Sequence, residues 1–389
     1  MNMHQPLVQA KSHGLISHRP IVHFDGLSAI EGTWRDICRE KSSSSFFISF
    51  DYIALWYKSF AEPDRVRVYP VFEGERIIGF LPLVLEKNGP VRVLSSLTNP
   101  HCRHPGVLVA QGCEDAFSRN FIEALLSDKH GWDVLLYRSG YSFQKDAQTG
   151  VANADAYRLE TEIKPTYTAL LPESIEDYYR HLSAKTRKEA NAKKRKLAAD
   201  PTHRFRHYTG DDALGSWPVF LSIEDSGWKG EGGSSLAKLP PNYRSYYESL
   251  IRMLYEDERL HMYFLEINGQ AVAGAFCYRD EDVFHCCKTG YNEEHSSLSP
   301  SINLILFIIE DIILHHPDVK RFHMFPVDYG YKHRYADEET FYTLMTLYNT
   351  SVRGTLMYGR SLLKQRLKLI PGMPHAVRFL RNNVRKQRS

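Results

Sequence analysis

At 389 residues the chain exceeds what one hydrophobic core usually spans, and 43% hydrophobic with 24% charged residues gives material for two cores. A net charge of +3 excludes a global electrostatic attraction to nucleic acid. The longest apolar run, Ile302 to Leu314, is broken by Asn303, Glu310 and Asp311 and is too short to span a bilayer.

In chain order, Met1 to Pro20 is polar and lacks the apolar stretch of a signal peptide, so residues 1–45 read as an N-terminal extension. Val66 to Leu85 alternates as a strand, turns at Glu73-Gly74-Glu75 and alternates again, a hairpin. A strand near Val91 to Leu94, a helix over Ala116 to Leu126 and a strand over Trp132 to Tyr137 follow. Ile175 to Ala199 reads as one helix with acids early (Glu176, Asp177) and bases late, as the helix dipole prefers. Asp212 to Ser226 and Tyr243 to Tyr255 read as two more helices, separated by the glycine- and proline-rich Gly227 to Pro241, a loop suited to covering a site.

His261 to Tyr278 then repeats the hairpin around Asn268-Gly269, a turn pair that supplies the positive φ a tight hairpin needs. It is followed by a strand at Val283 to Tyr291, a helix at Ser301 to Leu314 and a strand at Lys320 to Phe325. From Gly74 to Gly269 the offset is 195 residues (269 − 74), and each hairpin glycine has a second glycine, Gly79 or Gly274, five residues on. Hairpin, strand, helix, strand, twice over, predicts a duplicated α/β module with mixed sheets. The expected domains are 46–165 and 166–345, with a basic tail over 346–389 in which Arg378, Arg381, Arg385, Lys386 and Arg388 crowd together. Six cysteines without a CxxC pair, in a chain able to build large cores, point to a reducing cytoplasm.

Three segments can carry chemistry. Leu298-Ser299-Pro300-Ser301-Ile302-Asn303 joins a strand to a helix, and Pro300 near the first turn leaves no hydrogen bond unused. The amides of Ser301, Ile302 and Asn303 are then expected to point outward as an anion site, although any capped helix start looks similar. Ile223 to Gly230 ends a helix with Glu224 and Asp225 and continues into Trp228 and Lys229; a carboxylate beside an indole can act as a base, while the plainer reading is a surface Glu224–Lys229 pair. Phe325 to Tyr335 follows a strand at its carboxyl end, where α/β ligands gather, and holds Asp328, Tyr331 and Lys332. His285 shares a strand with Lys288, and a buried, satisfied histidine is its plainer reading; with strict alternation His285 and Cys287 face one way, Cys286 and Lys288 the other, unless a bulge intervenes. Eighteen histidines show no HExxH or comparable spacing, so no catalytic metal is expected.

These pieces together resemble the GNAT-like N-acetyltransferases of the cellulose-biosynthesis CelD type, relatives of the Fem peptidyltransferases. The resemblance runs from about Phe46 to Asp337. It rests on Glu73-Gly74-Glu75 through Gly79-Phe80-Leu81-Pro82-Leu83, Leu182-Ser183-Ala184-Lys185-Thr186-Arg187 through Arg195, Ile223 through Gly230, and Ser299-Pro300-Ser301 running to Asp328 and Tyr331-Lys332. It implies tandem GNAT-like domains of α/β class, the first non-catalytic. It also implies acyl-CoA (acetyl-CoA foremost) as co-substrate, with pantetheine where two strands splay and pyrophosphate at Ser299, Pro300, Ser301, Ile302 and Asn303. Glu224, Asp328, Lys332 and His285 become candidate catalytic residues, and Trp228, Lys229, Tyr331, Lys185 and Arg187 candidate substrate-binding ones. Glu224 and Asp328 both remain candidates for the base. The family commonly has glycine where Ser301 stands and another before the Asp328 position, so the donor stays open among acyl-CoA, an acyl carrier protein and an aminoacyl-tRNA. The implied acceptor is a small-molecule amine of a sugar, amino acid or envelope precursor, with peripheral association with envelope-synthesis machinery as one setting. The rivals are a Fem-like tRNA-dependent transferase and a non-catalytic scaffold in polysaccharide synthesis.

Overall fold

The computed structural model describes residues 18–40, 45–99, 107–128, 130–139, 158–324, 332–336 and 338–368. Asp328, Tyr331 and the end of the basic tail lie outside the described residues. The described strands are β1 (Val66–Glu73), β2 (Arg76–Asn88), β3 (Val91–Ser96), β4 (Leu108–Val109), β5 (Val134–Ser139), β6 (Arg158–Leu170), β7 (Arg204–Tyr208), β8 (Leu260–Ile267), β9 (Gln270–Asp280), β10 (Val283–Tyr291), β11 (Arg321–His323) and β12 (Glu338–Tyr348). The described helices are α1 (Ser28–Glu40), α2 (Phe50–Phe60), α3 (Glu114–Leu126), α4 (Ile175–His181), α5 (Ala184–Ala198), α6 (Gly210–Gly215), α7 (Trp217–Asp225), α8 (Trp228–Glu231), α9 (Pro241–Glu256), α10 (Pro300–His315), α11 (Lys332–Tyr335) and α12 (Val352–Lys368).

Two compact units form, neither continuous in sequence: Met1–Ile37 with Pro63–Glu162 and Thr343–Ser389, and Cys38–Glu62 with Ile163–Tyr342. The first unit runs β1-β2-β3 antiparallel, adds β5 parallel to β3, and closes with Thr343–Tyr348 of β12 antiparallel to β5. The second runs β7-β8-β9-β10 antiparallel, adds β11 parallel to β10, and closes with the end of β6 antiparallel to β11. The strand arrangement is thus repeated, hairpin bulge included: the register shifts at Val71/Phe72 in one copy and Leu265/Glu266 in the other. The β8–β9 turn has Asn268 at φ 53° and Gly269 at φ 75°, the two positive values a type I′ turn requires.

The segment expected as an N-terminal extension contains an ordered helix. Trp34 of α1 is buried and stacks on Phe80 of β2 with ring centroids 4.9 Å apart. Residues 343–348 supply a strand and 352–368 a helix of the same unit. The helix expected over 175–199 is two helices. Leu182 is extended (ψ 145°) and Ser183 caps a fresh start, its hydroxyl accepting from the Thr186 amide at 3.1 Å. The one expected over 212–226 likewise breaks at Ser216, with Pro218 in the first turn of α7.

In the second unit α10 is apolar on nearly every side. Leu304, Ile305, Ile308, Ile309 and Ile312 are buried in one cluster with Tyr263, Leu265, Ala273, Ala275 and Phe284 of β8, β9 and β10. Each such side chain contributes roughly 1.5–3 kcal/mol on burial, which anchors the helix whose first turn faces the candidate site.

Candidate functional site

The site is built beside the end of the described β10–β11 pairing. β10 and β11 pair only at Val283↔Arg321, Phe284↔Phe322 and His285↔His323. Beyond His285, β10 keeps its pairing to β9 but has no partner on the β11 side among the described residues. The register to β9 also slips between Cys286 and Lys288, so Cys287 is a bulge, and the strict alternation expected from sequence ends there. The Asn292 amide donates to Val272 O at 2.8 Å. Counting back by twos, Gly290 directs its backbone groups to β9, whereas Thr289 and Tyr291 direct theirs to the open edge.

A pocket of about 340 Å³ occupies this opening. Glu224, Lys229, Thr289, Gly290 and Tyr291 line it, facing Ser299, Pro300, Ser301 and Ile302. Gly290 is what allows α7 to lie so close, because a Cβ there would stand 2.8 Å from Glu224 Cα. The Glu224 carboxylate is fully buried, so the surface pair considered from sequence is instead an interior one. Lys229 Nζ lies 3.2 Å from Glu224 Oε1 and donates to Thr289 O at 2.7 Å. The Leu236 amide donates to Glu224 Oε2 at 2.8 Å. Lys288 Nζ stands 3.7 Å from Glu224 Oε1 and 5.3 Å from the centre of the Tyr247 ring. Burial pulls the Lys288 pKa down to about 8, against the opposing pull of Glu224.

At the mouth, Ser299 adopts a left-handed backbone (φ 52°, ψ 51°), rare for serine, and its hydroxyl caps no amide of α10. The first turn of α10 carries no acidic residue. The amide arrangement corrects the sequence expectation. Ile302 N and Asn303 N both donate to Ser299 O at 3.1 Å, the ordinary closure of a first turn, which leaves the Ser301 amide. Asn303 is only 2% exposed and turns inward, donating to Leu298 O at 2.8 Å. It braces the approach to the helix and does not line the pocket.

The other candidates separate. His285 stacks on Tyr278 (centroids 4.6 Å apart), with its Nδ1 3.3 Å from His323 Nδ1, in the paired stretch and away from the pocket lining. Lys332 is buried and donates to Met324 O at 3.1 Å. Arg187 donates to the carbonyls of Tyr179 and Arg180, satisfying the end of α4, while Lys185 lines a separate depression with Thr186, Glu189 and Arg334. Trp228 opens α8, and its side chain lies outside the described residues. The structure adds Lys288, which the sequence placed on the His285 strand without a role. The available signal was an ionisable residue inside an otherwise uncharged strand.

Among the described residues no helix is long and apolar enough to cross a membrane. Residues 184–333, which include every residue lining the pocket, match the family described as an acetyltransferase (GNAT) domain. No curated protein matches the sequence. Among solved structures the chain is similar to FemX, at 10% identity and a TM-score of 0.53 over 84% of this chain and 97% of that one. It is also similar to a conserved protein of unknown function from Bacteroides thetaiotaomicron VPI-5482, at 12% identity and a TM-score of 0.52 over 83% and 97%. At such identities the likeness concerns the fold alone: a mixed α/β architecture of the GNAT type, present here as two copies of one strand arrangement, with the matched domain in the second.

Proposed function

We propose that the chain is an N-acyltransferase that moves an acyl group from acyl-CoA, acetyl-CoA foremost, to an amine of a sugar, amino acid or envelope precursor. The observation that carries this reading is the β10 edge beyond His285, unpaired on the β11 side among the described residues, next to an acid-free helix start, with one pocket joining them. Pantetheine is an amide chain and can take up backbone bonds that a missing strand leaves unused. The diphosphate then meets the Ser301 amide, the Ser299 hydroxyl and the positive end of the α10 dipole.

In the reaction the amine nitrogen attacks the thioester carbonyl, the C–N bond forms, the C–S bond breaks, and CoA leaves as the thiol. The attacking amine must be neutral and must lose a proton. Glu224, the carboxylate lining the pocket, accepts that proton, which passes on to the sulfur as CoA leaves. The Thr289 or Tyr291 amide on the open edge supplies the donor for the developing oxyanion. The first copy is proposed to have no catalytic part: α3, at the place of α10, opens with Glu114 and Asp115, which repel a diphosphate. The resemblance to the CelD type favours an envelope-polysaccharide setting. Lys185, Lys188, Arg195 and Lys196, exposed along α5, keep a tRNA-borne donor as the second reading.

Ser301→Asp tests the donor site. The new charge suits a helix start and leaves stability unchanged or slightly raised, while acetyl-CoA binding by calorimetry should weaken at least about tenfold. Unaltered affinity in that variant sinks the proposal. Activity that requires RNA and falls steeply with salt would select the tRNA reading.

A further inference from the structure

At the far end of α10 three histidines from different elements converge. His207 lies on the edge strand β7, His261 on β8, and His316 caps the C-terminus of α10. One ring nitrogen from each lies within 4.8 Å of the other two. His207 Nε2 is 2.8 Å from His261 Nδ1, a contact between two groups that compete for one proton. Behind them Asp311 organises the cluster. Its Oδ2 accepts from His207 Nδ1 at 3.0 Å and from the Tyr263 hydroxyl at 2.9 Å, and its Oδ1 pairs with His315 Nδ1 at 2.9 Å. That contact holds the His207 proton on Nδ1 and leaves the Nε2 lone pair toward the cluster, the carboxylate–histidine arrangement that orients metal ligands.

Ring spacing agrees with this. Tetrahedral zinc at about 2.0–2.1 Å from each nitrogen sets imidazole centres about 5 Å apart. The observed centroid separations are 5.1 Å for His207–His261, 5.5 Å for His261–His316 and 6.1 Å for His207–His316. Closing the set needs only a movement of His316, which is half-buried at a helix end. The negative end of the α10 dipole points here and favours a cation. Arg279, the arginine whose charge acts on His261 and His316, is paired with Asp318.

We propose that His207, His261 and His316 bind one zinc ion, with water in the fourth position and Asp311 holding the His207 ring. On coordination the proton that His261 shares with His207 Nε2 moves to the far nitrogen of the His261 ring, so both rings bind as neutral imidazoles. Neutral imidazoles backed by one carboxylate suit zinc and its spectroscopic substitute cobalt, and not the all-oxygen preference of magnesium or calcium. The ion is a clamp: a helix of 16 residues is about 24 Å long, which separates it from the pocket at the other end of α10. It would pin the edge strand β7 and β8 to that helix.

The test uses the full chain, without a histidine tag and stripped by a chelator, titrated with zinc chloride by calorimetry and with Co²⁺ by visible absorption. Binding of one equivalent, d–d bands of four-coordinate cobalt and a zinc-dependent rise in Tm are expected. His316→Ala and His207→Ala should each weaken binding at least about tenfold, with Asp311→Asn losing about 10–100-fold. His181→Ala, on an exposed position of α4, should bind as the parent does. Absence of stoichiometric zinc binding in the parent overturns the proposal, as does unchanged affinity in His316→Ala. That substitution sits at a half-buried helix end, so His316→Ala decides the matter even where His207→Ala fails to fold.

Discussion

Replacing Lys288 by methionine, of similar length and without charge, should stabilise the protein at neutral pH. The lysine is 16% exposed, and burial lowers its pKa from 10.5 to about 8 even with Glu224 3.7 Å away. That fall is already the net of desolvation and the pull of Glu224, so the loss of the Glu224 contact needs no second subtraction. At about 1.4 kcal/mol per pH unit, the charged form costs the folded state roughly 3 kcal/mol. The Tyr247 contact, lost as a cation–π pair, returns in part as a sulfur–aromatic one, so a gain of about 1–3 kcal/mol is expected. The sign with pH follows from proton counting. Between pH 8 and 10.5 the unfolded lysine holds its proton while the folded one has released it, so stability of the parent rises through that window. Below pH 8 the full cost is present, and above 10.5 it is gone. Urea unfolding of parent and variant from pH 7 to 10.5, followed by circular dichroism, should show a difference that is largest at pH 7 and shrinks through the window. Groups that do not interact with Lys288 titrate alike in both proteins and cancel. Parallel profiles, or a variant less stable at pH 7, would refute the reasoning. A side chain that costs stability beside the pocket is what a functional requirement leaves behind.

Gly290→Ala places a methyl group 2.8 Å from Glu224 Cα and 3.1 Å from its amide nitrogen, backbone atoms that cannot swing aside. A loss of about 1–3 kcal/mol by denaturant titration is expected, together with weakened acetyl-CoA binding, since α7 must lift from β10. Asp280 accepts from Arg259 Nη1 at 2.6 Å, Ser45 Oγ at 2.6 Å and the Phe46 amide at 3.1 Å. Asp280→Ala should cost about 3–5 kcal/mol and raise amide exchange over Phe46–Phe60, whereas Asp280→Asn, which keeps one acceptor oxygen, should recover part of the loss.

The repeated architecture was legible because hairpins announce themselves locally: alternation, a turn glycine and a second glycine five residues on recur 195 residues later (269 − 74). The helix interruptions were less so. Ser183 is an ordinary residue in an α-helical context, and only its hydroxyl bond to the Thr186 amide marks it as a second start. At the site, the sequence named both walls, Glu224 with Lys229 and the Ser299 turn, but not what joins them. That join is a bulge at Cys287, invisible to periodicity because it breaks periodicity, and it re-aims Lys288 toward Glu224. Asn303 was read as pocket-facing from its place in the first turn, but an interior carbonyl, Leu298 O, captures its amide. The histidine cluster had no local signature at all, because its members come from two strands and a helix end. Only tertiary structure brings them together.

The two copies of one strand arrangement show why topology alone does not make a binding site. In the first, β3 keeps continuous register with β2 from Asn88↔Val91 to Leu83↔Ser96, without a bulge. Its parallel contact with β5 runs through Val93, Leu94 and Ser95, and Ser96 Oγ then accepts from the Arg138 amide at 2.9 Å, one more stitch. The helix that follows starts with two acids. In the second copy β10 bulges and α10 begins with Pro-Ser-Ile, while the parallel pairing is again three residues long, ending at His285 among the described residues. A bulge adds local twist, which carries the strand away from a neighbour fixed by only three paired residues. The freed edge then needs a ligand able to bond to backbone, and the bare helix start beside it needs an anion. Closed strand with acids and open strand without them are each self-consistent, whereas an open edge facing Glu114 and Asp115 would leave backbone groups unsatisfied and repel the ligand able to satisfy them. Under the proposed function the asymmetry between copies follows from an anionic, amide-bearing ligand bound in one of them.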